Sequence, residues 1–369
     1  MFSIAPAHND HHVGIRCGVG IGLPLFTLLL MGRIDLAIFV AFGAFTGIYG
    51  RNEPHRQRLG HQLRAGTLML LVILAGVLTS RLGPDAWGIV LGTTLVAGLG
   101  TIATGFWRLR PAGSLFHIFA YAAIASVPGH PPLWQAMLAA GATIAFALIL
   151  GQAAMLWPKY RTDWVKPARP GLSLAQRRTI YVDAALYATA AAAAGSIASL
   201  LGIGHNYWAM VAATVPLVGA TFRHRIQRGL SRMLGTAGGL AVTAVILVAG
   251  LAPWQLILVI AVLQCGAELF IARNYALAQV VITPLALLST ELSHPSDPAV
   301  LIQDRVLETV IGAVVGMTLV VLVQVWSTRN RKSGNAAGPG NAGEPANAGK
   351  PGNAGGPGNA GKTTAPAGS

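Results

Sequence analysis

Long apolar runs follow one another along most of the chain, separated by short basic segments. A transmembrane helix needs about 17–25 mostly apolar residues, and runs near that length recur throughout. Charged residues make up 10% of the sequence, whereas about 25% is typical of soluble domains. Because such a chain could not cover a soluble surface with polar groups, the sequence predicts an integral membrane protein with the lipid bilayer as its main partner.

The apolar runs predict an all-α fold of about twelve transmembrane helices. We place the spans near residues 16–32, 35–50, 65–80, 86–106, 113–128, 133–157, 181–201, 207–222, 234–251, 254–272, 276–291 and 305–326. The second, fifth and eighth runs are short for a full crossing, which favours tilted helices or half-helices broken at Gly and Pro.

Positively charged residues indicate the orientation of the chain. With the N-terminus in the cytoplasm, all but three of the 26 Lys and Arg residues fall on the cytoplasmic side, as the positive-inside rule expects. The exceptions are Arg33, Arg81 and Arg305. We therefore predict a multi-pass protein of a bacterial cytoplasmic membrane with both termini cytoplasmic. The net charge of +14 then reflects topology, and no nucleic-acid partner is expected.

A segment of the first half of the chain recurs in the second. HRQRLGHQLRAGT at residues 55–67 aligns with HRIQRGLSRMLGT at residues 224–236, an offset of 169 residues. Trp157 and Trp326 are separated by the same offset. Because six helices return the chain to its starting side, we predict two parallel six-helix repeats related by an axis along the membrane normal.

The repeat and the composition together divide the chain into five predicted segments. A cytoplasmic N-terminal tail (1–15) precedes the first six-helix membrane repeat (16–157). A cytoplasmic linker (158–180) leads to the second repeat (181–326). The Gly, Asn, Ala and Pro-rich tail (327–369) has few large apolar residues to bury, and we expect it to be cytoplasmic and disordered.

No catalytic constellation is present in the sequence. There is no GxSxG, Walker loop, HExxH or CxxC motif, and we predict no enzyme activity and no cofactor. HNDHH at residues 8–12 could bind a metal, but an exposed N-terminal tail explains it more simply, so no metal site is predicted. Cys17 and Cys265 lie in apolar runs without metal-ligand spacing, which argues against a structural disulfide.

An ionisable group in the tenth span is the strongest signal for chemistry. Glu268 lies near the cytoplasmic end of that span and is followed by Arg273, Asn274 and Tyr275. A charge at the centre of a membrane helix costs about 2.5–3.5 kcal/mol on insertion scales. A carboxyl group between apolar surroundings and an arginine could take up and release a proton during transport. The alternative is a structural salt bridge that anchors the helix end.

His117, one turn into the fifth span, is a second titratable candidate. An imidazole at that depth could relay protons or hydrogen-bond an anion. The alternative is a hydrogen bond to a neighbouring carbonyl group.

Basic residues before the ninth span form a third candidate site. Arg225, Arg228 and Arg232 share one face if that segment is helical. This face could collect anions at the cytoplasmic mouth of a pathway. Topology determination and lipid-headgroup binding explain the same residues.

The last span begins with charged residues and contains a small-residue motif. Asp304, Arg305 and Glu308 at its outer start are expected to form surface ion pairs of little energetic weight. Gly312 and Gly316 form a GxxxG motif, which permits a tight helix crossing.

The second half resembles the fusaric acid resistance protein-like family, which is related to bacterial aromatic acid exporters. Four segments carry the resemblance in order: NYWAM at residues 206–210, RGLSRMLGTAGG at 228–239, RNYALAQVVITP at 273–284 and DRVLETVIGAVVG at 304–316. The similarity covers roughly residues 180–326. The first half is similar only as a diverged copy that lacks the RNY-like element and a counterpart of Glu268.

This resemblance implies a multi-pass efflux transporter of small organic or aromatic carboxylic acids, driven by proton entry. Arg225, Arg228, Arg232 and Arg273 would attract the anion, and Glu268, together with His117, would supply the titratable switch. Distant similarity to plant aluminium-activated malate channels keeps a passive anion channel open as an alternative. A non-transporting scaffold in envelope assembly is a third alternative, and a homo-oligomer stays open.

Overall fold

The computed structural model describes residues 10–158, 161–164, 171–204, 206–219, 221–292 and 298–336. These residues form twelve α-helices and no strand, which confirms the predicted all-α class and helix number. The helices are α1 (Asp10–Leu30), α2 (Ala37–Ala44), α3 (His55–Arg81), α4 (Ala86–Phe106), α5 (Leu115–Ala125), α6 (Leu133–Gln152), α7 (Leu174–Leu200), α8 (Tyr207–Thr214), α9 (Phe222–Val248), α10 (Pro253–Ile271), α11 (Tyr275–Glu291) and α12 (Pro298–Ala336).

Helix length separates the twelve helices into two groups. Eight are long and apolar enough to cross a membrane. The other four are α2, α5, α8 and α11, which have 8, 11, 8 and 17 residues. Short 3-10 turns, Phe45–Ile48 and Val215–Leu217, continue α2 and α8. Length and composition therefore support eight of the twelve predicted spans. The sequence had marked α2, α5 and α8 as short, but not α11.

Local sequence explains where two of the short helices begin or end. At the end of α8 the chain changes to a 3-10 turn that contains Pro216, whose nitrogen cannot donate a helical hydrogen bond. Asn274 starts α11, because its side-chain oxygen accepts hydrogen bonds from the N–H groups of Ala276 and Leu277 at 3.0 and 3.1 Å. Both helices thus have a definite chemical boundary.

The long helices surround the short ones. Every residue of α2 and α8 is buried, as are residues 117–125 of α5. The exposed large apolar side chains lie almost entirely on the long helices, for example Leu71 on α3, Leu95 on α4, Leu138 on α6 and Val262 on α10. In a bilayer such side chains face lipid, so the described helices form an outer shell of long helices around a protein-shielded interior.

The contacts between the two halves come in equivalent pairs. Helix α1 packs along α10, the fourth helix of the second half, and α7 packs along α4, the fourth helix of the first. Likewise α5 contacts α8, and α11 contacts α2. Each helix of the first half has a counterpart six helices later. If every helix is replaced by its counterpart, the α1–α10 contact becomes the α7–α4 contact, and the α5–α8 contact becomes the α11–α2 contact. This pattern favours two related halves, while their parallel orientation in the membrane remains a prediction.

Residues up to Val325 form one compact unit, and a second unit starts at Trp326. Within the second unit the described residues are helical and end at Ala336, so the first part of the predicted disordered tail belongs to α12. The remainder of that tail, the first part of the HNDHH segment and parts of the predicted linker lie outside the described residues.

Glycines of the GxxxG motif bring α12 against α8. A Cβ atom on Gly312 would meet the carbonyl oxygen of Ala209 and would lie 2.9 Å from the nitrogen of Ala213. A Cβ atom on Gly316 would meet the carbonyl oxygen of Ala213. The motif therefore does what the sequence predicted, because a hydrogen in place of a methyl group lets the two backbones touch.

Replacing Gly312 by Ala should destabilise the protein. The added methyl group collides with the α8 backbone, and overpacking of this kind typically costs about 1–3 kcal/mol. The free energy of unfolding, measured by titration with a denaturing detergent, should fall by that amount. Gly141→Ala on α6 is the matched control, because its Cβ would meet nothing within 4 Å. Equal stability of the two variants would contradict the tight α8–α12 contact.

Candidate functional site

A cavity of about 530 Å³ lies where the four short helices meet. Residues of α2, α5, α8 and α11 line it, together with residues of α9, α10 and α12. Pockets that hold small ligands commonly measure about 300–1,000 Å³. The cavity therefore has the size of a site for a small organic molecule.

Five aromatic side chains form one side of the cavity, and we call them the aromatic wall: Phe42, Phe45, Phe116, Phe119 and Trp208. The rings of Phe119 and Trp208 are 4.3 Å apart, and those of Phe42 and Phe119 are 4.9 Å apart, measured between centroids. Phe45 and Phe116 are 5.2 Å apart. The rings meet edge to face or at a tilt, and they give the cavity an apolar aromatic surface on which another ring can pack.

Charged side chains in the cavity are mostly cationic. Among the described lining residues, the arginines are Arg51, Arg110, Arg228, Arg232 and Arg305, and the carboxylates are Glu53 and Glu268. Five guanidinium groups against two carboxylates leave an excess of positive charge in a partly desolvated space. Such a space favours an anion over a neutral or cationic ligand.

Glu268 is bound to an arginine from the other half of the chain. Its Oε2 lies 2.6 Å from Nη1 of Arg51, and a second N–H of Arg51 donates to the main-chain carbonyl oxygen of Glu268. Gln264, one turn earlier on α10, donates to Oε1 at 3.3 Å. The sequence predicted Arg273 as the cationic neighbour, but Arg273 is absent from the described cavity lining.

Helices α9 and α11 place two of the predicted arginines beside the cavity. The guanidinium carbon of Arg228 is 4.1 Å from the ring centroid of Tyr275, and both residues line the cavity. Arg232 is buried, and its Nη1 donates to Oε1 of Gln279 at 3.2 Å. The helices approach this closely because Gly235 has no side chain: a Cβ atom there would lie 2.5 Å from the carbonyl oxygen of Ala276.

Three predicted site residues lie elsewhere. Arg225 donates from Nε to the carbonyl oxygen of Gly219 at 3.0 Å and does not line the cavity. Asn274 acts as the N-cap of α11. His117 is completely buried and does not line the cavity, and neither ring nitrogen has a hydrogen-bond partner among the described residues. The structure therefore brings together Glu268, Arg228, Arg232 and Tyr275, but not the other predicted residues.

Two charged residues of α12 were wrongly predicted to lie on the surface. Arg305 is 3% exposed and Glu308 is 0% exposed. The guanidinium carbon of Arg305 lies 3.5 Å from the ring centroid of Trp208. The sequence does contain a signal for this burial, because Glu308 precedes Gly312 and Gly316 at four-residue intervals. It therefore lies on the helix face that packs against α8.

The fold and the cavity define a multi-pass α-helical membrane protein with an interior, arginine-rich site. Residues 191–319 match the model of the fusaric acid resistance protein-like family, which confirms the predicted resemblance. A 139-residue stretch is 30% identical to the uncharacterized membrane protein YvaC of Bacillus subtilis (strain 168). It covers 37% of this chain and 22% of YvaC, so the chain spans about a fifth of that relative's length. No solved structure matches.

Removing Arg51 should destabilise the protein more than removing the whole Arg51–Glu268 pair. Arg51→Gln leaves a buried carboxylate without its guanidinium, which costs about 3–5 kcal/mol in a dry interior and less beside a cavity. In the double variant Arg51→Gln, Glu268→Gln two neutral amides replace the pair, and much of the loss should be recovered. Thermal unfolding in detergent measures both effects.

The matched control is Arg33→Gln with Asp35→Asn, which removes an ion pair of 2.9 Å between more exposed side chains. We expect it to change the melting temperature little, because water screens exposed pairs. If Arg51→Gln is as stable as the double variant, the salt bridge does not hold the two halves together.

Proposed function

We propose that the protein is a proton-coupled exporter of small organic acids, in particular aromatic carboxylic acids. The observation that carries this proposal is the central cavity, whose lining combines the aromatic wall with an excess of arginine. An aromatic acid has the matching parts: a ring for the wall and a carboxylate for a guanidinium. The matched family's name refers to resistance to fusaric acid, which is in keeping with export of an acid.

In this proposal Arg228 and Arg232 receive the carboxylate of the acid. Both line the cavity, and their contacts with Tyr275 and Gln279 are to neutral groups, so neither charge is cancelled by those contacts. Arg225 and Arg273 lie outside the described cavity lining, and their part is limited to long-range attraction of anions.

Glu268 is the proposed proton-binding group, and a proton competes with Arg51 for its carboxylate. After the acid has left on the outer side, a proton from that side neutralises Glu268 and breaks the salt bridge, because a neutral carboxyl group is less costly at that depth than an unpaired charge. Release of the proton to the cytoplasm forms the salt bridge again, so that one proton enters as the acid is exported. Because Arg51 and Glu268 belong to different halves, this exchange also frees one half to move against the other, as alternating access requires.

Proton flux in proteoliposomes tests the function. With the purified wild-type protein, an inward benzoate gradient should produce a change of internal pH, recorded with an enclosed pH-sensitive dye. Glu268→Gln should lower the proton flux by about tenfold or more, since a positioned proton-transfer group commonly contributes at least that much. Asp183→Asn on α7 is the matched carboxyl-to-amide control, because Asp183 does not line the cavity.

Three results would reject parts of this proposal. Unchanged flux in Glu268→Gln would rule out Glu268 as the proton-binding group. Benzoate currents with unitary steps and no need for a proton gradient would establish a passive anion channel, because carrier turnover is too slow for unitary currents. A wild-type protein that moves neither benzoate nor other organic acids would favour the scaffold role.

We further propose that the protein lies in a bacterial cytoplasmic membrane with both termini in the cytoplasm. In a background with Cys17→Ala and Cys265→Ala, a cysteine at Asp163 should be protected from a membrane-impermeant maleimide in intact cells. A cysteine at Leu82 should react, because this exposed residue follows α3 on the proposed outer side. The reverse labelling pattern would show that the orientation is inverted.

A further inference from the structure

Arg305 lies buried at the part of the cavity formed by α8 and α12. It lines the cavity, and its guanidinium group stacks on Trp208 at 3.5 Å. Its Nε and Nη1 atoms have no hydrogen-bond partner among the described residues. An arginine has five N–H donors in a planar fork, and buried donors without acceptors cost free energy. The position therefore lacks an acceptor that a bound ligand can supply.

A second buried arginine adds positive charge to the same region. Arg232 is 4% exposed, and its charge repels that of Arg305. No ion pair between either residue and a carboxylate is found within 4 Å among the described residues, and Nε of Arg232 is also without a partner. Two like charges in a poorly hydrated space favour the entry of an anion.

Glu308 is the nearest acidic group on the same face of α12, one turn beyond Arg305. Neither of its carboxyl oxygens has a hydrogen-bond partner within the described part of the chain. The charged and titratable groups that it faces are Arg305 and Asp304 on its own helix and Tyr207 on α8, while Arg232 on α9 faces Arg305. Glu308 does not touch Arg305 in this structure, but a charged Glu308 is close enough along the helix to pair with it and compete with a ligand.

We propose that Arg305, stacked on Trp208, forms a carboxylate-binding subsite for an aromatic acid, separate from the Arg51–Glu268 pair, and that Glu308 is its exchangeable counter-ion. Stacking uses the face of the guanidinium group and leaves its edge free for two parallel hydrogen bonds to a carboxylate. The ring of the acid then packs beside Phe119, whose ring is 4.3 Å from that of Trp208. This subsite deepens the proposed function and rests on it: Arg228 and Arg232 receive the carboxylate on entry, and Arg305 holds it once the ring lies beside Phe119.

Benzoate binding to the full-length protein in lipid nanodiscs, measured by titration calorimetry, tests the subsite. Arg305→Gln should weaken benzoate binding about ten- to a hundredfold, the usual effect of losing charge-assisted hydrogen bonds. Arg305→Lys keeps the charge but lacks the planar fork, so it should show a smaller, several-fold loss. Arg81→Gln, which changes an exposed arginine at the end of α3, is the control and should bind benzoate as the wild type does.

If Glu308 is the counter-ion of Arg305, the affinity for benzoate should depend on pH. As the pH rises Glu308 becomes more often charged and competes for Arg305, so wild-type benzoate binding should weaken. In Glu308→Gln this competition is absent, so the pH dependence of benzoate binding should become clearly weaker than in the wild type, and only the part that Glu268 contributes should be left. Asp183→Asn is the matched control and should keep the wild-type dependence. Retention of that dependence in Glu308→Gln would overturn the counter-ion role.

The outcomes separate this inference from the proposed function. If the wild type binds and transports benzoate while Arg305→Gln and Arg305→Lys bind it equally well, the subsite is overturned and the exporter stands. If the wild type binds and transports no organic acid, both fail. Thermal unfolding of each variant establishes that it is folded. Should Arg305→Gln be unfolded, Arg305→Lys decides the matter, since wild-type affinity in that variant would exclude bidentate binding.

Discussion

Backbone hydrogen bonding in lipid is the constraint on which the rest of this structure depends. Hydrocarbon offers no partner for a free N–H or C=O group, so a helix that stops inside the membrane must be shielded by protein or water. Helices α2 and α8 stop after eight residues, and each is completely buried. The eight long helices provide this shield. An interior of broken helices, and with it a cavity at their ends, follows from that requirement.

The same low-polarity surroundings explain how the cavity arginines are arranged. A guanidinium group removed from water needs compensation, which a carboxylate, an amide or an aromatic face can provide. Arg51 has Glu268, Arg232 has Gln279, and Arg305 has Trp208. Of these three contacts only the first neutralises the charge. The second and third hold a cation in place while leaving it available to an anion, which is the property that a binding site needs.

Hydropathy and motif order predicted the parts of the fold that depend on local sequence. They gave the number of helices, three of the four short ones and the family that residues 191–319 match. They also indicated Glu268, Arg228, Arg232 and Tyr275 as site residues, because charged or amphipathic side chains stand out in apolar surroundings. The burial of Arg305 and Glu308 at the α8–α12 contact was not predicted. The four-residue spacing of Glu308, Gly312 and Gly316 does place these three residues on one face of the helix.

The partner of Glu268 could not be found in the same way. Arg51 is separated from it by 217 residues and follows a short helix of the other half, where it reads as one basic loop residue among several. Only the packing of the two halves brings these side chains together. A salt bridge between residues far apart in the chain leaves no periodic pattern in a single sequence. Hydropathy assigns each residue to its helix but does not identify the residue that it contacts in the folded protein.

The two halves contribute different chemistry to one cavity. Four of the five rings of the aromatic wall, Phe42, Phe45, Phe116 and Phe119, come from the first half. Glu268 and three of the five arginines come from the second. After a duplication, a cavity on the boundary between two related halves is lined by both, so each half can diverge toward one part of a composite ligand. In the proposed exporter the first half supplies most of the surface for a ring and the second supplies most of the charges for a carboxylate, so neither half alone would contain the complete site.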